Sequence, residues 1–259
     1  MDGDRSPSRL AGTAPRPNTG ACGNRLLDAI PAGRFALLEP HLERITLAPG
    51  RTLFEPGDDV THAHFPCGGA AIALVTVMAD GRTAEAAVVG CEGAVGVIIS
   101  AGDKPASTRA MVQMPGHALR LEAARLEDAK QASAAIRDTV SRYADALLAQ
   151  VLQSVACNAL HPVEERICRW LLSLQDRAGT PELPVTQEHL AEQLGVRRTT
   201  VTRVLARLEA AGMIRGSRGK VAVVNRPRLR HAACECYQAV REHFYRVAPG
   251  LYPIGPEEL

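Results

Sequence analysis

Between residues 43 and 122 the sequence is cut into short pieces at regular intervals. Seven apolar or alternating runs, ERITLA, RTLF, HAHF, AIALVTVM, TAEAAVV, RAMVQM and HALRLE, are separated by turn signals. These are Pro49-Gly50, Pro56-Gly57-Asp58, Gly68-Gly69, Asp80-Gly81, Gly102-Asp103 and Pro115-Gly116. Runs this short, bounded by Gly, Pro and Asp, read as strands, and turns every ~8 to 12 residues give the rhythm of an all-β roll or sandwich. Whatever flanks it, the middle of the chain has to close an antiparallel β structure.

Before this region, residues 1 to about 23 are rich in Pro, Gly, Ser and Arg and lack periodicity, which predicts a disordered tail. A short helix is expected from Arg25 to Leu38. After Leu121 the apolar period becomes helical. In AIRDTVSRYADALLAQVLQSVACNAL, Val140, Ala144, Leu147, Val151 and Val155 follow one another at spacings of 4, 3, 4 and 4, forming one stripe. A helix of this length between two compact regions packs on its own domain or pairs with a copy of itself. The stripe predicts pairing, hence a homodimer. His161-Pro162 ends it, and PVEERICRWLLSLQDRAG starts another helix with Pro162 near its first turn and Gly179 past its end.

Residues 185 to 212, VTQEHLAEQLGVRRTTVTRVLARLEAAG, hold two further helices around Gly195. Thr186 is placed to cap the first, with Val185 stapled to Leu190, and Gly195 can take the left-handed conformation of a tight turn. Over the second, Arg197 to Ala211, the residues Val201, Val204, Leu205 and Leu208 share one side. Arg198, Thr199, Thr202 and Arg203 centre about 140° away. Short helix, glycine turn and second helix make the helix-turn-helix unit, whose second helix enters a DNA major groove. Adjacent arginines at a helix N-terminus oppose the helix dipole, so they point to an anionic partner. MIRGSRGKVAVVNR then reads as a hairpin, or wing, with Arg218 and Lys220 at its tip. From 186 to 230 there are ten basic and three acidic residues, a balance of +7 in a chain whose total is +2. A polyanion met by one domain explains that asymmetry.

Two stretches, LAPGRTLFEPGD (47 to 58) and VTQEHLAEQLGVRRTTVTRVLARLEAAGMI (185 to 214), resemble the Crp/Fnr transcription regulators. The resemblance runs from about residue 25 to near the end of the chain. It implies an α+β chain: a cyclic-nucleotide-binding-like β-roll (jelly roll), a long dimerisation helix and a C-terminal winged helix-turn-helix. The corresponding boundaries are 1–23 for the tail, 24–130 for the roll, 131–160 for the helix, 161–228 for the DNA-binding domain and 229–259 for a helical extension. By position, Arg198, Thr199 and Arg203 match base-reading residues of the family, and Thr202 shares their face. Thr186, Arg197 and Thr200 match backbone contacts, to which Gln187, Arg218 and Lys220 are added. The partners so implied are a palindromic double-stranded DNA operator, a second copy of the chain and RNA polymerase. No membrane partner is expected.

The effector region departs from the cyclic-nucleotide-binding pattern. GAVG (93 to 96) falls on the motif whose glutamate holds the ribose, putting Ala94 after Gly93, and STRA (107 to 110) puts Thr108 where an arginine neutralises the phosphate. Alanine cannot accept ribose hydroxyls, and an uncompensated buried phosphate is costly. The effector is therefore unknown and not expected to be cyclic AMP. Glu92 and Arg109 are each one or two residues away, which leaves a cyclic-nucleotide-responsive regulator as an alternative.

Other chemistries have weaker footing. The seven cysteines are scattered and odd in number, which predicts thiols, and an iron-sulfur cluster of the Fnr kind has only Cys22 in the tail to draw on. Cys234 and Cys236 look like a chelating pair, but two positions apart on a helix they diverge by about 200° and cannot close on one metal, so packing is their expected role. Cys157 and His161 share a helix face, but with Pro162 following they read as buried helix-end residues. His62 and His64 share a strand face, the basis for a second reading as a metal-dependent, cupin-like β-roll enzyme fused to a DNA-binding domain. No nucleophile elbow or phosphate loop is present in the sequence, so no catalytic residue, cofactor or metal is assigned. An aromatic content of 3% disfavours a single-strand binder that stacks bases. The longest apolar run, CGGAAIALVTVMA (67 to 79), is too short to span a bilayer, and no signal-peptide core is visible at the N-terminus. A cytosolic protein is expected.

Overall fold

The computed structural model describes residues 23–98 and 105–253. The predicted tail, Cys22 and the Gly102-Asp103 turn lie outside the described residues. The seven expected strands form β1 (Glu43–Leu47), β2 (Thr52–Phe54), β3 (His62–Cys67), β4 (Ala71–Val77), β5 (Thr83–Val89), β6 (Arg109–Met114) and β7 (Gly116–Glu122). They close two antiparallel sheets, ordered β1-β7-β3 and β2-β6-β4-β5. Phe65, Ile72, Val112 and Leu121 fill the space between them.

The helix expected over Arg25 to Leu38 is instead two pieces, α1 (Arg25–Asp28) and α2 (Ala32–Phe35). The break falls at Ile30-Pro31, because the proline ring disfavours helical backbone in the residue before it. Asn24 caps α1 through the Leu27 N–H and donates its amide to the carbonyls of Pro66 and Gly93, which ties the segment to the roll. Cys67 is disulfide-bonded, so the expectation of thiols throughout does not hold there.

After α3 (Ala123–Ala132), α4 (Ala134–Leu160) runs for 27 residues, about 40 Å. Among its buried residues, Ile136, Val140, Tyr143, Leu147, Gln150, Ser154 and Cys157 follow one another at alternating spacings of four and three, with Ala146 beside them. Val140 and Leu147 thus belong to the core of their own roll. These two residues therefore leave the expected seam, while Val155 stays on the exposed side of the helix. The exposed apolar row is Leu148, Leu152 and Val155, with Leu160 at the helix end. At about 100° per residue, the row lies roughly 130° from the buried one, and the sequence stripe fell between the two.

The C-terminal half contains α5 (Val163–Ala178), β8 (Glu182–Leu183), α6 (Gln187–Leu194), α7 (Arg198–Ala210), β9 (Ile214–Ser217), β10 (Lys220–Val223), α8 (Arg226–His231) and α9 (Cys236–Val247). Its three strands pair in the order β8-β10-β9. Helix α9 turns back along α4, and Phe244, Leu251 and Tyr252 join the core of the roll. Burial of each such side chain contributes about 1.5 to 3 kcal/mol. The C-terminal extension is therefore a strap across both halves. Among the described residues no helix is long and apolar enough to cross a membrane.

Candidate nucleic-acid interface and effector cavity

Helices α6 and α7 are set by the residues the sequence singled out. Thr186 Oγ1 accepts the His189 N–H at 3.1 Å, and Gly195 closes α6 with φ 62°. Leu190, Val201, Val204, Leu205 and Leu208 are buried in one cluster with Trp170 and Leu171 of α5. That leaves Arg197, Arg198, Thr199, Thr202 and Arg203 exposed, with Thr200 partly buried.

A groove of about 560 Å³ separates α7 from the wing, and Thr186, Gln187, Arg198, Thr202, Arg218 and Lys220 line it. Thr202 Oγ1 donates to Gln187 Oε1 at 2.6 Å, joining the two helices across the groove floor. Arg198 leans on Glu188 at 3.4 Å and Lys220 on Glu182 at 3.3 Å. Both pairs are exposed and cost little to exchange for another anion. Arg197, Arg203, Arg215 and Arg218 make no ion pair among the described residues. One face therefore carries unneutralised cations at a helix N-terminus and at a hairpin tip. Such a face suits a phosphate-lined duplex.

Comparison with known proteins agrees with this geometry. Residues 165–232 match the model of the Crp-like helix-turn-helix domain. They are a Crp-like helix-turn-helix domain. The fold of the chain is that of the Crp/Fnr regulators. FixK2 from Bradyrhizobium japonicum superposes with a TM-score of 0.64 at 16% identity, over 74% of this chain and 98% of that one. The c-di-GMP-responsive global regulator CLP of Xanthomonas campestris gives 0.61 at 20% identity, over 74% and 99%. A Crp/Fnr-family regulator from Eubacterium rectale gives 0.61 at 18%, over 80% and 96%. No curated protein matches the chain by sequence.

In the roll of this Crp/Fnr fold, a cavity of about 790 Å³ opens beside α4. Ala94 and Thr108 line it, with Phe54, Leu74, Leu148 and Val151, and Asp145 is the one charged residue among its described walls. The other candidates lie elsewhere. Arg109 pairs with Glu55 at 2.8 Å, and Gly93 sits under the Tyr143 ring, whose hydroxyl donates to the Ala94 carbonyl.

Glu92 faces away from the cavity, into the junction between the roll and the Crp-like domain. Its carboxylate accepts Arg177 Nε at 2.7 Å, and both side chains are 1% exposed. Arg177 also donates to Gln150 Oε1 and the Ser173 carbonyl, and stacks over the Tyr252 ring. Gly90 allows this approach, since a Cβ there would lie 2.8 Å from the Arg177 side chain. Nearby, Trp170 Nε1 donates to Glu85, whose carboxyl burial pushes up to about 7 against the lowering effect of that hydrogen bond. His189 Nε2 meets Gln113 Oε1 at 2.7 Å, so α6 is anchored to the roll as well. Sequence reasoning missed this junction, because its partners are up to 85 residues apart.

The remaining candidates separate. The His62 and His64 rings are 6.4 Å apart. Burial, reinforced by His62 and Arg120, lowers His64 to about 4, while His62 borders a surface groove with Arg120 and Arg125. Among the described residues they join no cluster of three metal-ligating groups. Cys157, His161, Cys234 and Cys236 do form such a cluster. The expected divergence of Cys234 and Cys236 fails because Cys234 lies in the bend before α9, and only Cys236 is helical.

Proposed function

We propose that this chain is a homodimeric, sequence-specific DNA-binding transcription regulator that reads a palindromic operator and has RNA polymerase as a further partner. The observation that carries this reading is the free cationic N-terminal end of α7 beside a basic wing, within a domain of the Crp-like helix-turn-helix type. Base reading falls to Arg198, Thr199, Thr202 and Arg203. Backbone contacts fall to Thr186, Gln187, Arg197, Thr200, Arg218 and Lys220. Arg203 lies one turn inside the helix on its exposed side, where a guanidinium can meet a guanine through two parallel hydrogen bonds. Arg197 is at the helix edge, the natural place for a phosphate contact.

The two arginines differ in their expected effects. Arg203→Ala costs about 1 to 3 kcal/mol on the true operator and relaxes the preference at one position per half-site, with nonspecific affinity nearly unchanged. Arg197→Ala weakens binding to all DNA and makes the salt dependence shallower by about one unit per protomer. Gel shifts on operator and random duplexes over a salt series measure both. Equal losses of specific and random binding in Arg203→Ala would remove it from the base-reading face.

The effector is a small molecule other than cyclic AMP. The Ala94 side chain offers no acceptor for a ribose and Thr108 no cation for a phosphate, and the charged wall residue is an acid, Asp145, whose carboxylate meets His243 Nε2 at 3.3 Å. An uncharged or cationic apolar ligand suits these walls better. Millimolar cyclic AMP should leave the melting temperature unchanged, whereas a ligand at a hundred times its Kd adds about 2.7 kcal/mol. A clear upward shift in a thermal melt would assign the cavity to cyclic nucleotides.

A further inference from the structure

We propose that Cys157, His161, Cys234 and Cys236 bind a single Zn²⁺ as a closed Cys3His structural site. The four ligand atoms lie within 4.8 Å of one another. Cys157 Sγ is 3.5 Å from Cys234 Sγ, and Cys236 Sγ is 3.4 Å from His161 Nδ1. In a tetrahedron with metal–sulfur bonds of 2.3 Å, neighbouring ligands are about 3.8 Å apart. The group is thus close to the spacing one ion requires, and far wider than the roughly 2 Å of a sulfur–sulfur bond.

Local structure explains how the four meet. Cys157 and His161 are one turn apart at the end of α4, where the His161 N–H donates to the Cys157 carbonyl at 3.1 Å. Cys234 and Cys236 flank the start of α9, one in the bend and one in its first turn. Packing alone does not account for them. The three thiols form a buried cluster of their own, joined to neither of the two large apolar cores.

The surroundings are those of a metal site too. His161 turns Nδ1 to the sulfurs and Nε2 to the Glu235 carboxylate at 3.2 Å. A carboxylate behind the second ring nitrogen is the usual device for fixing the tautomer of a ligating histidine. Gln153 Nε2 donates to Cys236 Sγ at 3.1 Å. Three thiolates around Zn²⁺ leave one net negative charge. Arg166 and Arg169 of α5 are within electrostatic reach of Cys157, and each keeps a buried Nε with no acceptor among the described residues. Four protein ligands leave no open position, so the ion is structural. It would fasten the end of α4, just before Pro162, to the bend from which the C-terminal strap returns to the roll.

Full-length protein prepared under reducing conditions with zinc should contain one Zn²⁺ per chain by elemental analysis. After chelation, titration with Co²⁺ should give thiolate-to-cobalt charge-transfer bands and the visible absorption of tetrahedral cobalt. Chelation should lower the melting temperature by about 5 to 10 °C, the shift expected in a chain of this size for a ligand at a hundred times its Kd. The Cys157→Ser/Cys234→Ser variant should lose the cobalt spectrum, and Cys168→Ala, a buried thiol outside the cluster, should keep it. Glu235→Gln, at an exposed side chain, should weaken cobalt binding about 10- to 100-fold without unfolding the protein. Two results overturn the proposal: reduced wild-type protein that takes up no Co²⁺, or undiminished uptake by the double serine variant. None of these readouts involves DNA, so they stand apart from the regulator reading.

Discussion

Arg177→Ala should be among the most damaging single substitutions in the chain, costing about 3 to 5 kcal/mol of stability. The loss does not measure the attraction between Arg177 and Glu92, because much of that attraction is offset by the cost of taking both charges out of water. It measures what is left behind. Glu92 is 1% exposed, and its other hydrogen-bond partner among the described residues is the Gly90 N–H. Without the guanidinium, its charge would sit in a low-dielectric junction with one neutral donor. Gln150 Oε1 and the Ser173 carbonyl would lose donors, and Tyr252 its stacked cation. Urea denaturation of wild type, Arg177→Ala and Arg177→Met/Glu92→Gln checks the account. The double variant removes both charges and keeps most of the volume, so it should recover most of the loss. A single variant within about 1 kcal/mol of wild type would mean that water or another cation already serves Glu92.

The junction also shows why some of this molecule was legible in its sequence and some was not. Strands β1 to β7 were visible because each is bounded by residues whose backbone preference is local, such as Pro49-Gly50 and Asp80-Gly81. The helix-turn-helix was visible for the same reason: Thr186 caps, Gly195 turns, and the apolar face repeats within one helix. Glu92 and Arg177 carry no comparable signal, since nothing within a few residues of either announces a partner 85 positions away. The inner face of α4 was misread for a different reason. Its row continues through Gln150, Ser154 and Cys157, polar residues that bond within the fold, as Gln150 does to the Val88 carbonyl. A search for apolar periodicity drops those positions and slides onto Val151 and Val155. Cys234 was misplaced because a helical spacing was assumed across the bend between α8 and α9, where the chain is not helical.

The corrected faces of α4 sharpen the dimer proposal into a test with two arms. Leu148, Leu152 and Val155 are 56%, 61% and 64% exposed, a row of large apolar side chains at spacings of four and three. That is the spacing of a two-helix seam. In a two-fold pair each substitution enters the seam twice. Leu152→Glu should remove two buried leucines, about 3 to 6 kcal/mol of association, before the cost of desolvating two like charges is counted. Sedimentation should find a folded monomer with an unchanged far-ultraviolet spectrum. Operator affinity should fall with it, because a palindrome needs two recognition helices held one turn of DNA apart. Leu147→Glu should behave otherwise: its side chain is 8% exposed within the core of its own roll, so the charge should destabilise the monomer itself. A Leu152→Glu protein that sediments as an intact dimer would show that the two copies associate through another surface.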